Sequence, residues 1–403
     1  MSIVFHIDVN SAFLSWSAVE KIKRGSNIDL RTIPSIIGGD KKSRRGIVLA
    51  KSVPAKKFGI QTGEPVVNAF RKCPNLVMES PNHELYSDYS KRLMGYIRTV
   101  SPIIEQVSVD ECYMDYDERI RGFSSYLECA DTIRKEIYDK FGFTVNIGIS
   151  NNKLLAKMAS DFEKPDKTHT LFPEEIEEKM WCLPLRDLYM AGKSSVATFE
   201  KLEIKTIGDL AKSDPKLIEL HLKSHGRKLW EYANGIANDV IRSERSDAKG
   251  IGNSTTLPRD VVTREEAKKV IKDLASSVGR RLRKAGKKAS SISVEIKYHD
   301  FASSSHQKQI AGFTNDDKDI YKEALDLFDE LWDKEPIRLL GIRTTKLTSE
   351  EEPEQLSLFD IKDDMVLYNK KAAKTKKVDE ALLKIKEKYG ENIVTRGEKH
   401  EKN

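Results

Sequence analysis

Three acidic residues stand where strands should end or turn. Asp8 closes the apolar run Ile3-Val4-Phe5-His6-Ile7, and Asp110-Glu111 separate Val107-Ser108-Val109 from Cys112-Tyr113-Met114. Carboxylates crowded at such a place repel one another unless cations lie between them. Their oxygens suit Mg²⁺, which keeps several waters and takes substrate phosphate oxygens as further ligands. Two such ions, ~3.5–4 Å apart, can activate a hydroxyl nucleophile and stabilise a leaving pyrophosphate. A plainer reading exists: Asp-Glu is a common turn, and an acid ending a strand can cap the next helix. Spacing leaves both open.

The elements around these residues decide whether they can meet. A strand over 3–8 runs into a helix over 11–20, which Asn10 or Ser11 can cap. Residues 28–79 are punctuated by Gly38, Gly39, Pro54, Gly59, Gly63, Pro65 and Pro74, as in a small lobe of short elements. A helix over 84–100 is ended by Pro102. Residues 103–116 form two strands with a tight turn at Asp110-Glu111. A helix over 123–140, a strand over 144–149 and a helix over 151–161 follow. Strand, helix, strand, strand, helix, strand is the split βαβ, ferredoxin-like pattern, in which the first strand lies beside the hairpin. Asp8 can then face Asp110 and Glu111.

Residues 172–240 read as short helices, with a turn-helix junction at Thr206-Ile207-Gly208-Asp209-Leu210, and 241–250 read as a linker. Strands near 251–256, 291–299, 305–310 and 337–347, with helices near 263–285 and 317–333, make a second α+β unit. The two units share no sequence repeat. After Leu347 the composition turns acidic and then basic, as in a tail.

The chain has 403 residues, 39% apolar and 33% charged, enough for two to four soluble domains. No stretch approaches the roughly 20 apolar residues of a membrane span, and the N-terminus lacks signal-peptide features. A cytoplasmic protein without a membrane partner is expected. Cys73, Cys112, Cys129 and Cys182 show no C-x-x-C spacing, so reduced, mostly buried thiols are expected rather than zinc ligands. The net charge of +6 is unevenly spread. Lys41, Lys42, Arg44 and Arg45 form one basic cluster, and Arg280, Arg281, Arg283, Lys284, Lys287 and Lys288 another. A third lies at Lys370, Lys371, Lys374, Lys376 and Lys377. One cluster is commonly a solvated face; three separate ones point to nucleic acid.

Three segments carry a family resemblance. Ile7-Asp8-Val9-Asn10-Ser11-Ala12-Phe13, Ser108-Val109-Asp110-Glu111-Cys112-Tyr113-Met114-Asp115 and the run from Gly148 through Asn151-Asn152-Lys153 to Ser160 resemble, in order and separation, the main motifs of Y-family DNA polymerases. The similarity runs from residue 1 to about 360 and is strongest to the bacterial DinB, or polymerase IV, kind. It implies an α+β right-hand polymerase that extends a DNA primer with dNTPs across template lesions, at low fidelity. The implied domains are a ferredoxin-like palm (1–20 and 80–171), small fingers (21–79) and a helical thumb (172–240). A linker (241–250), a DNA-binding little finger (251–347) and a tail (348–403) complete them.

The resemblance makes Asp8, Asp110 and Glu111 catalytic metal ligands, with the Val9 carbonyl beside them, for two Mg²⁺ ions or Mn²⁺ as a substitute. Phe13 resembles the steric gate against ribose, and Lys157 the lysine that meets the triphosphate. Two departures stand out. Val53-Pro54-Ala55-Lys56 replaces the usual Tyr-x-Ala-Arg, which removes a hydroxyl and a bidentate guanidinium at the phosphate corner. Met190-Ala191-Gly192-Lys193-Ser194 lacks the paired glycines of a helix-hairpin-helix. Arg280, Arg281, Arg283, Lys284 and Lys287 fit a little finger that grips DNA phosphates without reading sequence. Gln355-Leu356-Ser357-Leu358-Phe359 resembles a sliding-clamp-binding peptide, with Gln355, Leu356, Leu358 and Phe359 as anchors. A monomer is expected. The altered phosphate corner motivates a second reading, a catalytically weak accessory protein that binds DNA and the clamp. A cyclase-like or nuclease-like metal site is a third, opposed by the basic clusters.

Overall fold

The computed structural model describes residues 3–39, 46–116, 122–237, 240–244 and 247–349. The clamp-like peptide and the basic clusters near residues 41–45 and 370–377 lie outside them. The chain forms two compact units: Met1–Ala248 with Thr256–Asp260, and Lys249–Thr255 with Val261 onward.

In the first unit, β1 (Ile3–Val9) lies between two neighbours and is largely buried on both faces, one apolar (Ile3, Phe5, Ile7, Val9) and the other carrying His6 and Asp8. It turns sharply into α1 (Ala12–Lys23) through Ser11, whose φ is 48°. This left-handed turn carries the Ser11 hydroxyl away from the first-turn amides, so neither expected cap forms. Ser11 Oγ donates to the Lys51 carbonyl instead, and Asn10 Nδ2 donates to Thr144 Oγ1. The inserted lobe is more regular than its punctuation suggests. It holds β2 (Ser35–Gly38), β3 (Val48–Lys51), α2 (Val53–Lys56), α3 (Val66–Lys72) and β4 (Val77–Glu79). Its sheet runs β3-β2-β4 over a small apolar cluster that includes Ile36, Val48, Val66 and Leu76.

The chain returns through α4 (His83–Val100), capped by Asn82, whose side chain accepts the Leu85 amide. Then come β5 (Ile104–Gln106), β6 (Glu111–Tyr116), α5 (Tyr126–Phe141), β7 (Val145–Ser150), α6 (Lys153–Ser160) and β8 (Thr168–Thr170). The sheet order is β5-β6-β1-β7-β8. The first four strands have the expected ferredoxin-like arrangement, and β8 is an unexpected addition parallel to β7. Glu111 opens β6 rather than sitting in the turn, which spans residues 107–110. The main core joins Phe5, Ile7, Trp16, Tyr86, Tyr89, Ile133, Ile147 and Ile149. On the other side of β7, α6 comes so close at Gly148 that a Cβ there would stand 2.0 Å from the Ala156 carbonyl oxygen.

Short helices follow: α7 (Ile176–Lys179), α8 (Lys193–Lys201), α9 (Ile207–Lys212) and α10 (Pro215–Ala233), the last kinked at Lys223. The expected junction before α9 is a capping box in which Thr206 and Asp209 each accept the other's amide.

The second unit contains β9 (Gly250–Val261), α11 (Arg264–Lys284), β10 (Lys287–Tyr298), β11 (Ser303–Thr314), α12 (Asp317–Leu331) and β12 (Ile337–Ser349). The element order is as read from the sequence, with longer strands, but the sheet runs β11-β10-β12-β9. Among the described residues no helix is long and apolar enough to cross a membrane.

Candidate active site

The C-terminal end of β1 gathers the acidic residues. Asp8 pairs with Glu111 across β1 and β6, and the Val9 amide donates to the Asp110 carbonyl at 3.1 Å. Asp110 caps the hairpin end, where the Ser108 hydroxyl donates to its Oδ1 at 2.5 Å. Burial, and then the charges of Asp8 and Glu111, push the Asp110 carboxyl above its ordinary value; the Ser108 hydrogen bond opposes them. Such a shift is the mark of carboxylates crowded in a partly dry place.

Cations stand against this cluster. Lys157 Nζ, on α6, lies 3.2 Å from Glu111 Oε2 and 3.3 Å from Asp161 Oδ2. Lys164 pairs with Asp8 and lies 2.8 Å from Asp161 Oδ1. Burial works against charge on both lysines, but the surrounding carboxylates outweigh it and hold them above their ordinary values. Beneath them His6 is wholly buried. Its Nδ1 lies 2.8 Å from Ser160 Oγ, and its Nε2 sits 3.3 Å from Glu111 Oε2 but outside hydrogen-bond geometry. The imidazole, and then Lys157, hold the Glu111 carboxyl down at about 2 despite its partial burial.

The donor set fits hard divalent cations: three carboxylates on neighbouring strands, with lysine ammoniums as stand-in positive charge. Among the described residues no three groups already converge as a ready coordination sphere, because Asp8 and Glu111 are turned to their lysines.

The structure therefore brings Asp8, Val9, Asp110, Glu111 and Lys157 together. Phe13 lies in the first turn of α1, half-buried, stacked on Tyr86 with ring centroids 4.3 Å apart. Val53 and Lys56 lie exposed on α2, and α2 connects to α1 only two residues away, where Lys51 accepts the Ser11 hydroxyl. Lys164 was missing from the sequence reading, because a lysine in a polar stretch carries no local signal.

The basic cluster of the second unit divides. Arg280, Arg281 and Lys284 are exposed at the end of α11, although Arg281 Nη1 donates to the Gly252 carbonyl. Arg283 turns inward, donating to the Asn315 carbonyl at 2.6 Å and to Asp317 Oδ1 at 2.8 Å. Lys287 begins β10 and is half-buried. Cys73, Cys112 and Cys129 are buried and Cys182 is exposed, all as free thiols. Burial pushes the Cys112 thiol up to about 12.

Known proteins resemble this chain in sequence and in fold. Residues 7–161 match the impB/mucB/samB family, and residues 248–358 match its C-terminal domain. The chain is 46% identical to DNA polymerase IV of Clostridium acetobutylicum, over 99% of both chains. It is 34% identical to DNA polymerase IV of Bacillus velezensis, over 98% of this chain and 92% of that one. Its fold matches a Y-family DNA polymerase chimera with a TM-score of 0.74 at 22% identity, over 86% of this chain and 99% of the other. With likeness in sequence and fold along nearly its whole length, the chain belongs to the Y family of DNA polymerases, of the DNA polymerase IV kind.

Proposed function

We infer that the protein is a translesion DNA polymerase, adding deoxynucleotides to a DNA primer opposite damaged template. The observation that carries this reading is the cluster of Asp8, Asp110 and Glu111 at one strand end, inside the segment that matches the family. These three carboxylates and the Val9 carbonyl would hold two Mg²⁺ ions, with Mn²⁺ as a substitute. The chemistry such ions would supply there is a lowered pKa for the attacking hydroxyl and charge stabilisation for the leaving pyrophosphate.

The chain's own residues do the rest. Lys164 and Lys157, paired with Asp8 and Glu111, would also offer positive charge to the phosphates of a nucleotide bound there. Phe13 is held rigid by its stack on Tyr86, as a wall against a ribose 2′-hydroxyl needs to be. Val53 and Lys56 offer the phosphates one flexible charge where a hydroxyl and a guanidinium would serve the family. Arg280, Arg281 and Lys284 are assigned to duplex phosphates, with Lys287 beside them; Arg283 serves α12 first. The clamp-binding role of Gln355, Leu356, Leu358 and Phe359 rests on sequence. The lobe is the fingers of this assignment, the sheet the palm, the short helices the thumb.

Primer extension tests the reading. Purified protein with primer-template, dNTPs and Mg²⁺ is expected to extend the primer, and Asp110→Ala to abolish extension. The accessory-protein reading predicts no extension by either.

A further inference from the structure

Lys164 sits in the loop between α6 and β8, residues 161–167, most of which are exposed. A long side chain on an exposed loop has many positions open to it, so its placement against Asp8 requires something to fix the loop.

Asn146 is that element. It lies in β7, directly across from Asp8 in the β1–β7 register, and is fully buried. Its Nδ2 donates to the carbonyls of Ser160 at 3.2 Å and Glu163 at 2.7 Å. Its Oδ1 accepts the Lys167 amide at 3.3 Å. One side chain thus ties the entry, the middle and the exit of the loop. A carboxamide supplies two donors and an acceptor without charge; an aspartate has no donor and a serine only one. On its own face of β7 Asn146 is followed by Gly148 and Ser150, while Val145, Ile147 and Ile149 serve the apolar core on the other face, so filling that core is not the reason for an amide here. Other anchors exist: the Ile147 amide donates to the Lys167 carbonyl at 2.9 Å, and Lys157 Nζ lies 3.3 Å from Asp161 Oδ2. His169 Nε2 lies 3.2 Å from the Glu163 carbonyl oxygen, and Arg134 binds the Asp166 carboxylate and carbonyl. None of these contacts joins the entry of the loop at Ser160 to its exit at Lys167, as Asn146 does.

We propose that Asn146 is a positioning residue for nucleotide binding: it sets the 161–167 loop so that Lys164 faces Asp8 and meets the incoming triphosphate. This rests on the assignment of Asp8 and Lys164 to the metal and phosphate side of the site.

A double-mutant cycle on the full chain tests it. Wild type, Asn146→Ser, Lys164→Ala and the double variant are compared for dNTP KM and kcat in primer extension. Equilibrium dNTP affinity is measured separately on a complex with a dideoxy-terminated primer, and thermal melting is followed for each. Lys164→Ala is expected to weaken nucleotide binding roughly tenfold, the worth of one charge-assisted hydrogen bond. Asn146→Ser is expected to raise KM and the dNTP Kd several-fold, with kcat within about twofold, and the double variant to bind no worse than Lys164→Ala alone. Additive losses, or an Asn146→Ser variant with unchanged affinity, overturn the proposal while leaving the site assignment standing. An unaffected Lys164→Ala overturns both. Should the serine variant melt below the assay temperature, Asn146→Thr, which suits a strand, carries the same comparison.

Discussion

Both α+β units run strand, helix, strand, strand, helix, strand, and they close into different sheets. In the first, the opening strand β1 is central, between β6 and β7; in the second, the opening strand β9 is at the edge, beside β12. A central strand has a neighbour on each side of its end. Asp8 therefore meets Glu111 on one side and Asn146 on the other. An edge strand cannot gather side chains that way. The difference teaches where each unit can do its work: the first can concentrate charge at a point, and the second can spread charge along a surface.

The largest expected effect concerns packing. Both units hold a glycine at a close approach, but the obstacle differs. At Gly148 a Cβ would meet backbone, the Ala156 carbonyl oxygen at 2.0 Å and the Ser160 nitrogen at 2.4 Å. At Gly279 it would meet the end of a side chain, Asp317 Oδ1 at 2.1 Å. Backbone in a packed helix cannot step aside, whereas a carboxylate can rotate. Gly148→Ala is expected to cost about 3 kcal/mol or more, and Gly279→Ala under about 1.5 kcal/mol, by denaturant unfolding. Equal costs would break the comparison.

Function should divide in the same way. Phe13→Ala is expected to raise ribonucleotide incorporation roughly tenfold or more while leaving primer-template affinity unchanged. Arg280→Ala with Lys284→Ala is expected to weaken DNA binding equally on all sequences and to lower the salt slope by about 1 per residue, with sugar selection intact. A change of sugar selection in the second pair would blur the boundary. Arg283→Ala, which breaks the link to α12, is expected to lower stability by about 1–2 kcal/mol and to change the salt slope little.

A further, pH-dependent effect lies in the acid limb of stability of the metal-free protein. Glu111 is held at about 2 against an ordinary 4.5, so its contacts stabilise the fold fully above 4.5. That contribution is lost as the pH falls from 4.5 towards 2. Glu111→Gln should flatten this part of the curve. Asp110 is shifted the other way and carries an electrostatic cost at neutral pH, so Asp110→Asn should raise the denaturation midpoint while removing activity. A lowered midpoint would show that Asp110 is not the strained member of the trio.

Much of the first unit was legible because local signals agreed with the fold. The apolar run before Asp8, the Thr206–Asp209 capping box and the helix stop at Pro102 each have a short-range cause. Other features depend on distant partners. A three-residue parallel strand such as Thr168–Thr170 has too short a pattern to be seen, and the edge position of β9 is invisible when element order is identical in both units. Ser11 looked like a cap until the tight exit from β1 required a positive φ there. Of the site, the carboxylates were readable and their lysine partners only half so. Lys164 gave no sign, but Asn146, a lone amide in the buried run Val-Asn-Ile-Gly-Ile, was a signal available to be read.

Cys112 follows Glu111 directly in β6 and is completely buried, with its thiol pushed up to about 12. Only the thiolate attacks peroxides and disulfides, and burial keeps this thiol protonated at neutral pH. A polymerase that copies damaged DNA works in cells where oxidants are often the cause of the damage. The thiol beside Glu111 is thereby shielded from thiol oxidation, and the exposed Cys182 lies well away in sequence, among the helices.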